Sequence, residues 1–267
     1  MSRTHNPLRD EWAGRKVLIT GGTSGTGLRA ARTLVSYGAE VVVVGRDAER
    51  GESAVEELNA LGGTAHLALG DCGDYEDACR VVDEAVSALG ALDVLISAGA
   101  RGEGDPKPFL EMTPEEIRAG LMTRFLARVY PVHAALPHLR HRPGANVVLL
   151  TTDAGRHATR GESIVGAYAA AVIQFTKTLA RELARDRVRV NAVSMTLTSD
   201  TQSWNSIFGR ESYQKELFEK ALSRFPFGSA PTAQEVADVV VFLASSQAAQ
   251  VTGQTISVNG GLSFGGW

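Results

Sequence analysis

After its first dozen residues the chain alternates between short unbroken apolar runs and longer stretches in which apolar residues recur every three or four positions. The runs Val17–Thr20, Val41–Val44, His66–Leu69, Val94–Ser97, Val147–Leu150 and Val188–Val193 read as strands. Their Val, Ile and Leu content without polar alternation predicts strands covered on both faces. The intervening stretches Leu28–Tyr37, Ala48–Leu61, Tyr75–Leu89, Pro114–Leu139 and Ile164–Arg185 read as helices. Gly38, Gly62-Gly63 and Gly90 stop three of them, and Thr113 before Pro114 supplies an N-cap and a first helical residue. Repeated βα units predict an α/β fold with a doubly wound, mainly parallel sheet and helices on both faces. No repeat, low-complexity segment or linker interrupts the pattern, so residues 13–267 are expected to form one domain. Residues 1–12, polar and charged, are expected to be a mobile leader.

Composition narrows the function classes. A hydrophobic content of 44% and a charged content of 21% are ordinary for a globular chain. A net charge of −3 gives no reason to expect nucleic acid or an anionic membrane as partner. Cys72 and Cys79, the only cysteines, have neither disulfide-framework nor zinc spacing, which fits a reducing cytoplasm. No apolar run approaches the ~18 residues of a membrane helix. His133, His138 and His141 lie close together, but Pro137 and Pro143 interrupt them and no acidic residue has ligand spacing, so no metal site is expected.

The chemistry-bearing signal is Thr20-Gly21-Gly22-Thr23-Ser24-Gly25-Thr26-Gly27, directly after one predicted strand and before a helix. Gly21 permits the tight turn, while Gly25 and Gly27 remove side chains where backbone must approach a pyrophosphate at a helix N-terminus. Strand and helix stand on both sides, the context a dinucleotide-binding turn requires.

At this point the chain resembles the short-chain dehydrogenase/reductase family over nearly all its length. The carrying residues are Thr20–Gly27, Asp71, Ala98-Gly99, Thr152–Gly155, Phe175–Glu182, Arg189–Val193 and Val251–Gly261. The resemblance implies a Rossmann-type seven-stranded sheet, a nicotinamide cofactor, a small-molecule substrate and a homo-oligomer, dimer or tetramer. It implies cofactor contacts from Gly21, Thr23, Ser24, Gly25, Thr26, Gly27, Arg46, Asp71, Cys72, Ser97, Ala98 and Gly99. An acidic residue at Gly45 would accept from the ribose 2′-hydroxyl of NAD and repel a 2′-phosphate. Its absence, with Arg46 next, favours NADP over NAD, because a guanidinium grips phosphate bidentately. Arg46 as a solvated charge, and Asp71 as a helix cap or turn residue, are the alternatives.

The family transfers hydride with a Tyr general acid/base, a Lys one turn later, a Ser and an upstream Asn. Here the Ser position is Thr152, and counting back from Phe175 puts the Tyr position on Val165 and the Lys position on Ala169. Taking Tyr168 as the tyrosine leaves Val172 at the lysine position; Lys177 is ~13 Å further along the helix. Arg124 stands at the Asn position, Ser97-Ala98-Gly99 replaces Asn-Ala-Gly, and Met195-Thr196 replaces Pro-Gly. Departures this local imply a repurposed or redundant site.

The catalytic candidates are therefore Thr152 and Tyr168, each with a bland alternative: a strand-end threonine, and a tyrosine packed at a subunit interface. Arg124 either supplies positive charge to an oxyanion or to a carboxylate or CoA substrate, or pairs with Glu162 or Asp153. His157 and Glu162 either carry protons or sit in a solvated loop. Residues 198–227, with Trp204, Ile207, Phe208, Tyr213, Leu217, Phe218, Leu222 and Phe225, are expected to be a helical substrate lid. If these side chains face inward, the substrate is bulky and apolar; otherwise they form a packing face. Phe264–Trp267 is apolar enough to suggest an oligomer contact. Three functions follow: an NADP-dependent oxidoreductase with a non-standard proton relay, a silent cofactor-binding subunit paired with an active relative, or non-redox chemistry on the same scaffold.

Overall fold

The computed structural model describes residues 7–99 and 106–264. The elements in chain order are α1 (Pro7–Trp12), β1 (Lys16–Thr20), α2 (Gly25–Ser36), β2 (Glu40–Gly45), α3 (Ala48–Ala60), β3 (Thr64–Leu69), α4 (Tyr75–Leu89), β4 (Val94–Ser97) and α5 (Pro114–Leu139). They continue with β5 (Asn146–Thr152), α6 (Ser163–Leu183), β6 (Arg189–Met195), α7 (Gln202–Phe208), α8 (Tyr213–Leu222), α9 (Ala233–Ala244) and β7 (Thr255–Val258). The seven strands form one sheet in the order β3-β2-β1-β4-β5-β6-β7. Every pairing is parallel. Strand order reverses between β1 and β4, which opens a crevice beyond their C-terminal ends.

Alternate residues of each strand feed two cores. Leu18, Leu95, Val147 and Val190 pack under α4, α5 and α6. Val17, Ile19, Ile96 and Val193 pack under α2 and α9. This two-sided burial is why the strands read as unbroken apolar runs. Trp12 is fully buried in the second core, so the leader expected over residues 1–12 ends before Pro7–Trp12; residues 1–6 lie outside the described residues. Segment Ser163–Asp186, with mean hydropathy 1.2, is long and apolar enough to cross a membrane, against the expectation that no run is. Half of that window is buried, and α6 packs on the sheet and on α5, which accounts for its apolarity.

Cap chemistry sets the helix ends nearest the crevice. Thr113 and Glu116 form a reciprocal capping box with Pro114 at the first helical position of α5. Asp74 caps α4 through the Asp77 amide at 3.0 Å, and Gly90 ends it at φ 73°. At the start of α2, Ser24 is the N-cap residue, but its side chain makes no cap hydrogen bond.

Candidate functional site

The β1–α2 turn, the ends of β2 and β3, and the residues after β4 enclose one open cleft. It brings together Gly21, Thr23, Ser24, Arg46, Asp71, Cys72 and Gly99 from the expected set, and adds Arg50, Ala127 and Gln202, which sequence reasoning missed. The glycines are dictated by contact. A Cβ on Gly21 would lie 2.8 Å from the backbone of Gly99, and one on Gly27 would lie 2.3 Å from the Gly21 carbonyl oxygen. Thr26 and Gly27 are therefore buried in the first turn of α2, beneath the cleft. The first bond of that helix runs from the Leu28 amide to the Ser24 carbonyl, so the Gly25, Thr26 and Gly27 amides have no intrahelical acceptor. Uncapped amides at the N-terminus of a 12-residue helix, in a cradle that any Cβ would fill, fit a pyrophosphate.

At the cleft rim, exposed Arg46 is joined by Arg50, whose Nη1 lies 3.6 Å from the Asp47 carboxylate and 3.4 Å from Gln202. Gly45 has a packing reason as well as a specificity reason: its Cβ would meet Thr23 Cγ2 and Oγ1 at 2.7 Å, so no acidic side chain fits without displacing Thr23. Asp71 accepts from the Gly73 amide at 3.0 Å, a turn role that coexists with its place in the cleft. Burial, then the Asp71 and Asp77 carboxylates, push the Cys72 thiol up to about 12, so it stays protonated. Ser97 is fully buried and donates to the Arg128 carbonyl at 3.0 Å, facing α5, while Gly99 N–H reaches Thr20 Oγ1 at 3.3 Å. Ala98 N–H is taken by the Thr20 carbonyl at 3.1 Å.

Val165 and Ala169, expected from sequence at the family's Tyr and Lys positions, are buried apolar residues of the core under α6. Thr152 ends β5, its hydroxyl 3.4 Å from the Ala154 amide. Tyr168 is 4% exposed, and its ring centroid lies 5.7 Å from the Arg124 guanidinium and 5.6 Å from that of Arg128. Arg128 was not singled out from sequence, although it stands one turn beyond Arg124. Asp153, considered as a partner for Arg124, instead accepts from Ser194 (2.6 Å), Ser257 (2.7 Å), Asn259 (2.6 Å) and Ser263 (3.0 Å), tying β5, β6 and β7 together. Burial raises the Glu162 carboxyl above the ordinary glutamate range, against the Thr159 hydrogen bond and the nearby Arg124 charge. His157 Nε2 is buried without a hydrogen-bond partner among the described residues.

The expected lid forms α7 and α8. Trp204, Ile207, Phe208, Phe218 and Leu222 pack on Leu197, Phe225 and Ala230, so the packing-face alternative holds for them and they are no evidence for a bulky substrate. Tyr213 instead sits on Gly161, where a Cβ would lie 2.8 Å from its ring. His133 accepts or donates at 2.8 Å with Tyr75, and His138 lies 3.9 Å from Asp83. No group of three metal-binding side chains occurs among the described residues.

A doubly wound parallel sheet with a glycine turn at its switch point defines a dinucleotide-binding α/β protein. A family model described as enoyl-(acyl carrier protein) reductase, of the short-chain type, matches residues 21–263. The chain belongs to the short-chain dehydrogenase/reductase family, whose members are NAD(P)-dependent oxidoreductases. It is 27% identical over 253 residues to a 3-oxoacyl-[acyl-carrier-protein] reductase of Chlamydia pneumoniae, covering 94% of this chain and 98% of the relative. An NADPH-bound short-chain oxidoreductase from Pseudomonas aeruginosa PAO1, described as containing an atypical catalytic center, superposes with TM-score 0.87 at 28% identity, covering 95% of this chain and 99% of that one. A 7α-hydroxysteroid dehydrogenase complexed with NADH and 7-oxo glycochenodeoxycholic acid superposes with TM-score 0.86 at 25% identity, covering 97% and 98%.

Proposed function

We propose that the chain is an NADP(H)-dependent oxidoreductase acting on a hydroxyl or keto group of a small molecule, with Thr152 and Tyr168 in place of the usual proton-transfer pair. The observation that carries this reading is the cleft at the switch point, lined by Ser24 at the start of α2, whose first amides have no intrahelical acceptor, and by Arg46 and Arg50. The amides hold the pyrophosphate, and the two guanidiniums favour a 2′-phosphate over a bare ribose hydroxyl. The bound nicotinamide would supply or accept the hydride. Thr152 orients the reacting oxygen, and Tyr168 exchanges a proton with it. The NADPH-bound relative with an atypical catalytic center supports both halves of the proposal. Residues 198–227 serve as the lid. Exposed Phe227 (82%) and Phe264 (81%) favour a homo-oligomer, Gly265–Trp267 lying outside the described residues. The two free thiols fit the cytoplasm.

The test is NADPH-dependent reduction of a responsive ketone by Tyr168→Phe and Thr152→Ala. Each lowers kcat about 100-fold with NADPH affinity unchanged. Full turnover in both variants refutes the role assignment. The second reading, a silent subunit paired with an active relative, is favoured by the apolar burial of Val165 and Ala169. It requires co-purification with a family member that carries the Tyr/Lys pair; turnover by a homo-oligomer excludes it.

A further inference from the structure

We infer that Gln202 is a positioning residue that fastens the lid over the cofactor cleft through Arg50, and that a 2′-phosphate on the cofactor tightens the fastening; this deepens the NADP(H) reading and rests on it. The lid leaves the body at a fixed point. Ser199 N–H donates to the Pro231 carbonyl at 2.9 Å and Ala233 N–H to the Ser199 carbonyl at 3.1 Å, which ties the two ends of the excursion together. Asp200 follows in the left-handed region at φ 58°, a conformation that a side chain other than glycine adopts at a cost. The chain then passes directly over the glycine turn: Thr201 Cγ2 lies 3.6 Å from where a Cβ on Gly25 would stand. Exposed Gln202, at the start of α7, reaches across the cleft mouth, and its Oε1 accepts from Arg50 Nη1 at 3.4 Å.

Arg50 joins this contact to the cofactor. Its Nη1 faces Gln202 and, at 3.6 Å, the Asp47 carboxylate. Asp47 is already spent on capping α3, where it accepts from the Arg50 amide at 3.0 Å. On the other edge of the guanidinium, Nε is buried without a hydrogen-bond partner among the described residues, and Nη2 makes no hydrogen bond with them either. A phosphate held on the Nε–Nη2 edge leaves Nη1 on Gln202, so one guanidinium grips cofactor and lid at once. Without that anion the latch is a single long, exposed hydrogen bond between two flexible side chains, and such contacts stabilise little. Fixing the guanidinium removes much of the ordering cost. α7 needs the tie, because a seven-residue helix is too short to hold itself in water. Its first turn hangs on Thr201, whose hydroxyl accepts from the Trp204 amide at 3.1 Å and whose carbonyl accepts from the Asn205 amide at 3.2 Å.

The experiment follows amide hydrogen exchange across α7 in the full-length protein, with saturating adenosine 2′,5′-bisphosphate and, separately, with saturating adenosine 5′-monophosphate. Neither probe carries a nicotinamide, so the comparison isolates the 2′-phosphate. The bisphosphate is expected to slow exchange of the Trp204 and Asn205 amides at least about fivefold more than the monophosphate does. Gln202→Ala should bring the two probes within about twofold of each other, with bisphosphate affinity within about threefold of wild type. Gln202→Glu should slow exchange with no nucleotide present, because its carboxylate pairs with Arg50 directly, and should weaken the bisphosphate severalfold by repulsion. A residue that merely props α7 would change exchange by the same factor with both probes. Equal slowing by the two probes in wild type, a 2′-phosphate effect that survives Gln202→Ala, or unchanged exchange in nucleotide-free Gln202→Glu overturns the inference. Bisphosphate binding without the effect on α7 sinks this inference alone, whereas failure of both the bisphosphate and NADPH to bind sinks the NADP(H) reading with it.

Discussion

Replacing Gly27 by alanine tests whether the glycine turn is shaped by contact. The added Cβ would lie 2.3 Å from the Gly21 carbonyl oxygen, 2.9 Å from the Gly21 carbonyl carbon and 3.1 Å from Gly22 Cα. Ordinary contact begins near 3.5 Å, so relief requires about 1 Å of movement. All three atoms are backbone of a tight turn pressed between β1 and the residues after β4, so no flexible side chain can absorb it. Overpacking of this kind costs about 3 kcal/mol, offset by up to ~1 kcal/mol from the better helix propensity of alanine. A net loss of about 2 kcal/mol, with a urea slope of about 2 kcal/mol/M, lowers the unfolding midpoint by about 1 M. Because the α2 amides shift with the turn, NADPH affinity should fall by more than about tenfold. Gly51→Ala is the control: its Cβ would meet Leu67 Cδ1 at 2.6 Å, but a leucine terminus can rotate away. That variant should stay within about 1 kcal/mol of wild type and keep its NADPH affinity. Wild-type midpoint and affinity in Gly27→Ala would refute the argument.

Three further outcomes are expected. Arg46→Ala should weaken NADPH about tenfold and NADH less than about twofold, with the NADPH loss shrinking in salt; equal losses contradict a 2′-phosphate contact. Asp153→Ala strips buried Ser194 and Asn259 and half-buried Ser257 and Ser263 of a shared acceptor and should destabilise by about 3 kcal/mol or more in urea titration; a loss under about 1 kcal/mol would show that the carboxylate does not hold β7 to β5. Glu162 binds its proton more tightly folded than unfolded, so its contribution is fully present below the ordinary glutamate pKa and is lost as pH rises through the raised folded value. Glu162→Gln should therefore gain thermal stability relative to wild type as pH rises through that window, and a pH-independent difference contradicts the burial argument.

Element types and order were legible because each strand is buried on both faces and each connecting helix carries stop signals, such as Gly90 and the Thr113-Pro114 start. α9 (Ala233–Ala244) was not read from the sequence, and β7 was legible only through the resemblance carried by Val251–Gly261: Thr255–Val258 is an edge strand that is only partly buried, so its apolar pattern is weak. The glycine turn was readable because its constraints are local, whereas Arg50 and Gln202 reach the cleft through tertiary placement that no spacing reveals. Asp153 was invisible as a hub because its donors come from positions 41 to 110 residues away. The lid aromatics have helical spacing whether they face a ligand or one another, and only the tertiary packing of α7 and α8 distinguishes the two. Arg128 had a signal, one turn beyond Arg124, but its meaning depends on α5 facing Tyr168.

The most direct test of the central claim is titration of the wild-type protein with NADPH and with NADH, followed by tryptophan quenching and nicotinamide fluorescence. The account predicts micromolar NADPH binding, with NADH at least about tenfold weaker. No binding of either up to millimolar concentration, or tighter binding of NADH, would contradict it.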